Sequence, residues 1–307
     1  MRYQKKVPQI QQIFYVCILC IILYIFWRFP WQSSKTKHGR TGFSYYYIDD
    51  WIKNYPACGG NRQSPMDLMK AYVNWTDEHN NTYERLMGTN FDQLPISVQL
   101  SNIGHTIKVS FEWGPKIPTI SGGILPGQYQ LDSIIFHWDS RSDEGSEHEI
   151  TDKKSPMEMQ SIFYKSGYRN YHNALNFYDG LAIISDLFGF EPKKYEKVSP
   201  IGLNRIIQKL FDVQYPGSSV DLQPFPFSLL RKSDFDVSRH FMYYGSLTRP
   251  PCTENVIWII NAYENYINKQ QMEDIQKIVK FWNSETHNHR ELQPVNGRFL
   301  YQRQDLK

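Results

Sequence analysis

Two kinds of strand-like segment constrain the fold of this chain more than any other feature of its sequence. Apolar and polar residues alternate at 96–100 (ISVQL) and at 107–111 (IKVSF), a pattern typical of strands that bury one face. Nearly continuous apolar runs at 181–184 (LAII) and 256–260 (VIWII) indicate strands that are covered on both faces. The sequence therefore predicts several strands joined into a substantial sheet.

Helices are expected to be the minor element. Apolar residues recur with helical spacing in two stretches, 203–211 and 272–282. Together with the strands they predict a β-rich α+β fold, in which a large sheet carries a few surface helices. The 307 residues suffice for one domain of about 250 residues behind an N-terminal extension. The 34 basic and 31 acidic residues are well mixed, with a net charge of only +3, which argues against nucleic acid as a partner.

Residues 1–31 have the character of a targeting segment. No charged residue occurs from 7 to 27, and basic residues precede this stretch, as in a signal sequence. The whole uncharged stretch reaches the roughly 20 residues that a membrane span needs. Residues 28–32 (RFPWQ) offer no small residues for signal cleavage, so an uncleaved signal-anchor is favoured over a cleaved signal peptide. The polar residues 32–42 then form a tether to a domain at 43–307.

The cysteines and two glycosylation motifs indicate the compartment of this domain. Cys58 and Cys252 are the two cysteines outside the apolar run, and a single distant pair behind a targeting segment predicts one disulfide in an oxidising compartment. Asn74 and Asn80 begin Asn-x-Thr triplets in a polar stretch expected to be a surface loop. We therefore expect either a single-pass type II membrane protein with a lumenal or extracellular domain, or a secreted protein.

Three short segments resemble the metal-binding core of the α-class carbonic anhydrase family: 134–139 (IIFHWD), 145–148 (GSEH) and 158–160 (EMQ). Other segments that resemble the family follow in its order: 51–60 (WIKNYPACGG), 63–68 (QSPMDL), 102–105 (NIGH), 179–182 (DGLA), 245–252 (GSLTRPPC), Trp258 and 290–294 (RELQP). The resemblance implies one α-carbonic-anhydrase-like domain with a large, twisted, mostly antiparallel sheet. It also implies a bridge between Cys58 and Cys252, as in secreted and membrane-bound members.

The resemblance also implies that two of three zinc ligands are missing. The family places histidines at the positions held here by Ile135, His137 and Gln160, so His137 is the only retained ligand. Isoleucine has no lone pair, and a neutral amide is a poor zinc ligand. His148 and His172 are conceivable replacements, although a structural or surface role is favoured for both. No metal or other cofactor is therefore expected, with zinc as the alternative.

Further positions match functional residues of the family. Glu147 and Thr248 match the pair that orients the zinc-bound hydroxide, and we expect them to hydrogen-bond each other here. His105 matches the proton shuttle, and Arg249 stands where the family commonly has Thr or His. Arg249 would either fill an unused cavity or attract an anion. The residues matching the apolar wall of the pocket are Ile162, Ile183, Leu247 and Trp258.

The sequence thus favours a catalytically inactive carbonic-anhydrase-related protein. It would act as an extracellular or lumenal binding module for a protein partner that the sequence does not name, with the N-terminal segment in the membrane. One alternative is a zinc-dependent carbonic anhydrase with a non-standard metal site. A second is a small-anion binder that uses Arg249 and His105.

Overall fold

One sheet organises the part of the chain that the structure describes. The computed structural model describes residues 42–76, 85–150, 152–191, 199–231 and 240–303. The sheet contains these strands: β1 (Tyr72–Thr76), β2 (Met87–Thr89), β3 (Ser97–Asn102), β4 (Ile107–Glu112), β5 (Thr119–Ser121), β6 (Tyr129–Trp138), β7 (Met157–Lys165), β8 (Leu181–Phe190), β9 (Ser219–Leu222), β10 (His240–Gly245), β11 (Val256–Asn261), β12 (Asn265–Ile267) and β13 (Phe299–Arg303).

The strand order explains the two hydrophobic patterns. The main path runs β1-β13-β10-β11-β8-β7-β6-β4-β3-β9, and its pairings are antiparallel except β1–β13 and β8–β11. β8 and β11 lie at the centre and are buried on both faces, as the continuous apolar runs predict. β3 and β4 alternate between buried and more exposed side chains near one edge. The predicted fold class is confirmed.

Helices in the described ranges are short. The α-helices are α1 (Trp51–Asn54), α2 (Tyr171–Ala174), α3 (Ile201–Ile207) and α4 (Lys269–Ile278). The 3₁₀ turns are Tyr45–Asp50, Pro56–Gly59, Leu68–Lys70, Ser166–Tyr168, Leu210–Val213, Phe227–Leu230 and Trp282–Ser284. The start of α4 is fixed by a capping box in which Asn268 and Gln271 satisfy each other's backbone N–H groups.

Both predicted helical stretches end earlier in the structure than the spacing suggests. α3 stops at Ile207, and the following 3₁₀ turn leaves Phe211 72% exposed, so this residue does not join the buried face. α4 stops at Ile278, because Val279 already has extended backbone angles. Val279 is nevertheless buried, which is why it continues the apolar pattern after the helix has ended.

The cysteine pair is joined as the sequence predicts. A disulfide links Cys58 and Cys252 across a sequence separation of 194 residues. Both cysteines are buried in a small apolar cluster with Phe43, Tyr45 and Trp51. The bridge therefore ties the beginning of the domain to the loop that follows β10.

The membrane and glycosylation predictions fall largely outside the described residues. The proposed segment 1–31 and nearly all of the tether lie outside them, as does Asn80. Within the described ranges no helix is long and apolar enough to cross a bilayer. Asn74 lies in β1 at one end of the main strand path, rather than in the loop that the sequence suggested, because 72–76 pairs in parallel with β13.

Candidate functional site

The register of β6 and β7 brings the three candidate ligand positions together. Ile135 lies directly opposite Gln160, and His137 lies opposite Glu158. Residues two apart on a strand share a face, so Ile135 and His137 point to the same side of the sheet. Directly opposed side chains in an antiparallel pair are neighbours. The positions that hold metal in the resembled family are therefore adjacent here, although two of them lack imidazoles.

The ring of His137 is held through one of its two nitrogens. Its ring is fully buried, and Nδ1 lies 2.7 Å from the main-chain oxygen of Asn288. A carbonyl oxygen only accepts, so Nδ1 carries the proton. Nε2 lies 3.5 Å from a carboxylate oxygen of Glu147 and has no hydrogen-bond partner among the described residues. The imidazole is thus fixed through Nδ1, and Nε2 lacks a hydrogen-bond partner among the described residues.

The side-chain amide of Gln160 donates hydrogen bonds to two carboxylates. Its Nε2 donates to Oε2 of Glu147 at 2.6 Å and to Oε1 of Glu158 at 3.0 Å. Both neighbours are acceptors when ionised, which fixes the side-chain nitrogen on their side. Gln160 therefore holds two buried carboxylates in place.

Glu158 is the most heavily hydrogen-bonded group of the site. Oε2 accepts from the main-chain N–H groups of Glu147 and His148. Oε1 accepts from the His148 ring, the Gln160 amide and the Ser185 hydroxyl. Burial opposes ionisation, but the charge and hydrogen bonds of His148 outweigh it and hold the pKa of Glu158 well below its usual range.

Glu158→Gln should destabilise the domain by about 3 kcal/mol. The carboxylate now accepts hydrogen bonds through both oxygens, and the substitution would replace one oxygen with an N–H₂ group that faces other donors. The depressed pKa means that the native carboxylate stabilises the fold above its unfolded pKa of about 4.3, and this stabilisation is lost only in strong acid. Urea unfolding at pH 7 measures the change. The exposed Glu144→Gln is the matched control, expected within about 0.5 kcal/mol of wild type. Equal stability of the two variants would contradict this account of the network.

Neither replacement histidine completes a metal site. Both ring nitrogens of His148 are taken, Nδ1 by Glu158 at 2.9 Å and Nε2 by the Tyr243 hydroxyl at 2.7 Å. His172 is exposed on α2. Across the described ranges, no three His, Cys, Asp or Glu side chains are grouped so that they could hold a metal ion. The donor set around His137 does not fit a tetrahedral zinc site.

The expected bond between Glu147 and Thr248 is wrong. Glu147 is fully buried, but its Oε1 accepts from the main-chain N–H of Arg290 at 3.1 Å and its Oε2 accepts from Gln160. In the part of the chain that the structure describes, no hydrogen bond joins Thr248 to this carboxylate. The amide of Gln160 has supplied Glu147 with a partner that no sequence reasoning anticipated.

The residues matching the apolar wall pack together. Four residues of one buried apolar cluster, each 5% exposed or less, are Ile162, Ile183, Leu247 and Trp258. Ile135 belongs to the same cluster and is 3% exposed. The isoleucine at a family ligand position therefore extends the apolar wall towards His137.

His105 and Arg249 meet at the rim of this region. Nη1 of Arg249 lies 3.3 Å from Nε2 of His105. Enclosure by protein lowers the pKa of His105 well below its usual value, and the charges of Arg249 and His137 add to this effect. The imidazole is consequently neutral at pH 7 and accepts from the guanidinium through Nε2.

Sequence reasoning missed several members of the site. Asn288 orients His137 and also donates to the main-chain oxygens of His105 and Phe136. Arg290 caps Glu147 through its N–H. The polar run at 287–290 (HNHR), which shares Arg290 with the family-like segment 290–294, was the signal that could have identified their roles.

Comparisons with known proteins identify the family of this chain. The model of the eukaryotic-type carbonic anhydrase family matches residues 47–304. Carbonic anhydrase 6 of Bos taurus is 32% identical over 254 residues, which cover 81% of this chain and 75% of the relative. Carbonic anhydrase 6 of Homo sapiens is 29% identical over 254 residues, covering 81% and 78%. Carbonic anhydrase 7 of Homo sapiens is 30% identical over 278 residues, covering 85% and 97%.

The family match spans most of the chain and coincides with the sheet that places Ile135, His137 and Gln160 side by side. The chain belongs to the eukaryotic-type carbonic anhydrase family.

Proposed function

We propose that this protein is a catalytically inactive carbonic-anhydrase-related protein that acts as a binding module. The observation that carries the proposal is the donor set of the core. His137 is the only imidazole at the three ligand positions, Ile135 is part of an apolar wall, and the Gln160 nitrogen donates to two carboxylates.

The mechanism of CO₂ hydration explains why the missing ligands matter. A catalytic zinc takes three protein ligands and lowers the pKa of its bound water to about 7, so that hydroxide is available to attack CO₂. Loss of a hydrogen-bond partner behind a ligand already costs roughly 10–100-fold in metal affinity or activity. Loss of two ligands costs far more. Glu147, Thr248 and His105 then have no metal hydroxide to orient or to regenerate.

The proposed location is the cell surface, the lumen of the secretory pathway or the extracellular space. The buried disulfide supports an oxidising compartment. The uncharged stretch at 7–27 supports a single-pass type II membrane protein, with secretion after cleavage as the other route. Glycans at Asn74 and Asn80, and recognition of a protein partner through the outer surface, complete the proposal.

A hydration assay tests the proposal against its main alternative, an active enzyme with a non-standard zinc site. The full chain, purified in mild detergent from a eukaryotic host, should hydrate CO₂ no faster than buffer, with or without added zinc. An active carbonic anhydrase in the same detergent is the positive control. A zinc-dependent rate above buffer that a chelator abolishes would establish the alternative.

A further inference from the structure

A cavity of about 510 Å³ lies beside the segment that follows α4. Its lining consists of the segment 279–286 together with Gln276, Tyr215, Pro216 and Ser140. None of the residues at the former ligand positions lines it, so it is separate from the site described above. Sites for small organic ligands usually enclose about 300–1,000 Å³, and this volume falls within that range.

The side-chain amide of Asn102 fastens two parts of the lining to each other. Its Nδ2 donates to the main-chain oxygens of Val213, Gln214 and Lys280, at 3.1, 3.3 and 3.0 Å. The main-chain N–H of Lys280 also donates to the oxygen of Gln214, at 2.9 Å. These bonds keep Tyr215, which follows Gln214, next to the segment after α4. The cavity is therefore pre-formed, which lowers the free-energy cost of binding a ligand.

Aromatic residues supply the apolar part of the lining. Phe281 is buried, and its ring lies 4.9 Å from that of Trp138 between centroids. Trp282 packs so closely on Gly104 that a Cβ at that position would lie 1.5 Å from the indole nitrogen. Tyr215 also lines the cavity and is 64% exposed. A large ring left in water beside a cavity offers a surface on which an apolar face of a ligand can pack.

Two side chains of the lining each keep an acceptor oxygen available. Gln276 donates through Nε2 to two main-chain oxygens, and its Oε1 forms no hydrogen bond with any described residue. Glu285 is 7% exposed, and its Oε1 accepts from the hydroxyl of Ser44 and the N–H of Tyr45. Its Oε2 has no such donor among the described residues. A buried carboxylate oxygen without a donor favours a ligand that carries one.

The other polar groups of the lining can both donate and accept. The amide of Asn283 and the hydroxyls of Ser140 and Ser284 form no hydrogen bond with any residue that the structure describes. The charged residues of the lining are Lys280 and Glu285, whose charges are opposite. Donors and acceptors are thus mixed in a lining without net charge. Such a lining suits a neutral ligand that carries several hydroxyl groups better than it suits an ion.

We propose that this cavity binds a neutral sugar of one or two rings, as part of a glycan. One face of a sugar ring presents C–H groups, which would pack on Tyr215. Each hydroxyl of the ring both donates and accepts, which matches Glu285, Gln276 and Asn283. The inference rests on the proposed role as a binding module and names a class of ligand for it. It does not depend on the residues around His137.

The probes are maltose, cellobiose and lactose, three neutral disaccharides that differ in linkage and stereochemistry. Calorimetric titration of the full chain, in a detergent without a sugar headgroup, should show saturable binding of at least one of them, with a Kd on the order of 1–10 mM. Tyr215→Ala should weaken that binding about tenfold or more, because the exposed ring is lost. Tyr215→Phe should bind within about threefold of wild type, since the phenyl ring keeps the packing surface.

Tyr178→Ala is the matched control. Tyr178 is 78% exposed and does not line the cavity, so sugar binding should be unchanged. No saturable binding of any of the three sugars, or equal binding by Tyr215→Ala and wild type, would overturn this proposal.

Two further probes test the class of ligand. Tighter binding of glucuronate than of glucose would overturn the assignment to a neutral sugar. Binding of octaproline without binding of any sugar would assign the cavity to a proline-rich peptide instead. Failure of sugar binding in a chain that does not hydrate CO₂ would leave the inactive assignment intact. A chain that binds sugar and also hydrates CO₂ would keep the sugar site and overturn the inactive assignment.

Discussion

A chain that carries Ile135→His and Gln160→His is expected to bind one zinc ion. The two positions face each other across β6 and β7, and His137 lies on the same face as Ile135. His137 already presents the right tautomer because Asn288 holds its Nδ1 proton. Glu158 is placed to orient an imidazole at 160, since it now accepts from the amide there.

The measurements are zinc content after dialysis and thermal unfolding with and without chelator. Zinc at 100 times its Kd should stabilise the double variant by about 2.7 kcal/mol, and wild type should not respond. Gln160→His alone is the control, because it leaves Ile135 without a donor atom. A double variant that folds but takes up no zinc would show that these residues are not the former ligand positions.

Hydration activity should return only weakly in the double variant. Arg249 would crowd the substrate side, and its charge would oppose a cationic zinc centre. Adding Arg249→Thr should therefore raise the rate of CO₂ hydration further. Full activity in the double variant would show that Arg249 does not limit the rate of CO₂ hydration.

Cys58→Ser should reduce stability by about 5 kcal/mol, because the bridge closes a loop of nearly 200 residues in the unfolded chain. We expect a lower melting temperature and less secreted protein. Cys252→Ser should cause the same loss, and combining both substitutions should add little, since each one already breaks the same bond. Free thiols at both positions in wild-type protein from a secretory host would contradict this prediction and the proposed compartment.

The sheet was predictable because its pattern is local. Alternation at 96–100 and 107–111 and the continuous runs at 181–184 and 256–260 each report the burial of one strand, and all four lie in or overlap strands of the structure. Helix ends were less predictable. Val279 is buried by the tertiary fold after α4 has ended, so its apolar character carries no information about the end of the helix.

The sequence predicted the positions of the site residues but not their hydrogen-bond partners. The resemblance identified Ile135, His137 and Gln160, but the network depends on groups that come together only in the folded sheet. Glu147 accepts from Gln160, 13 residues away, and from Arg290, 143 residues away. The expected bond to Thr248 assumed the family's partners and overlooked the two N–H donors that a glutamine brings.

Metal analysis of the wild-type chain tests the central claim most directly. The full chain is purified from a eukaryotic host without chelator, dialysed mildly, and its zinc is measured per chain by mass spectrometry. With one imidazole at three ligand positions, we predict far less than one zinc ion per chain. Stoichiometric zinc that survives dialysis would contradict the inactive assignment.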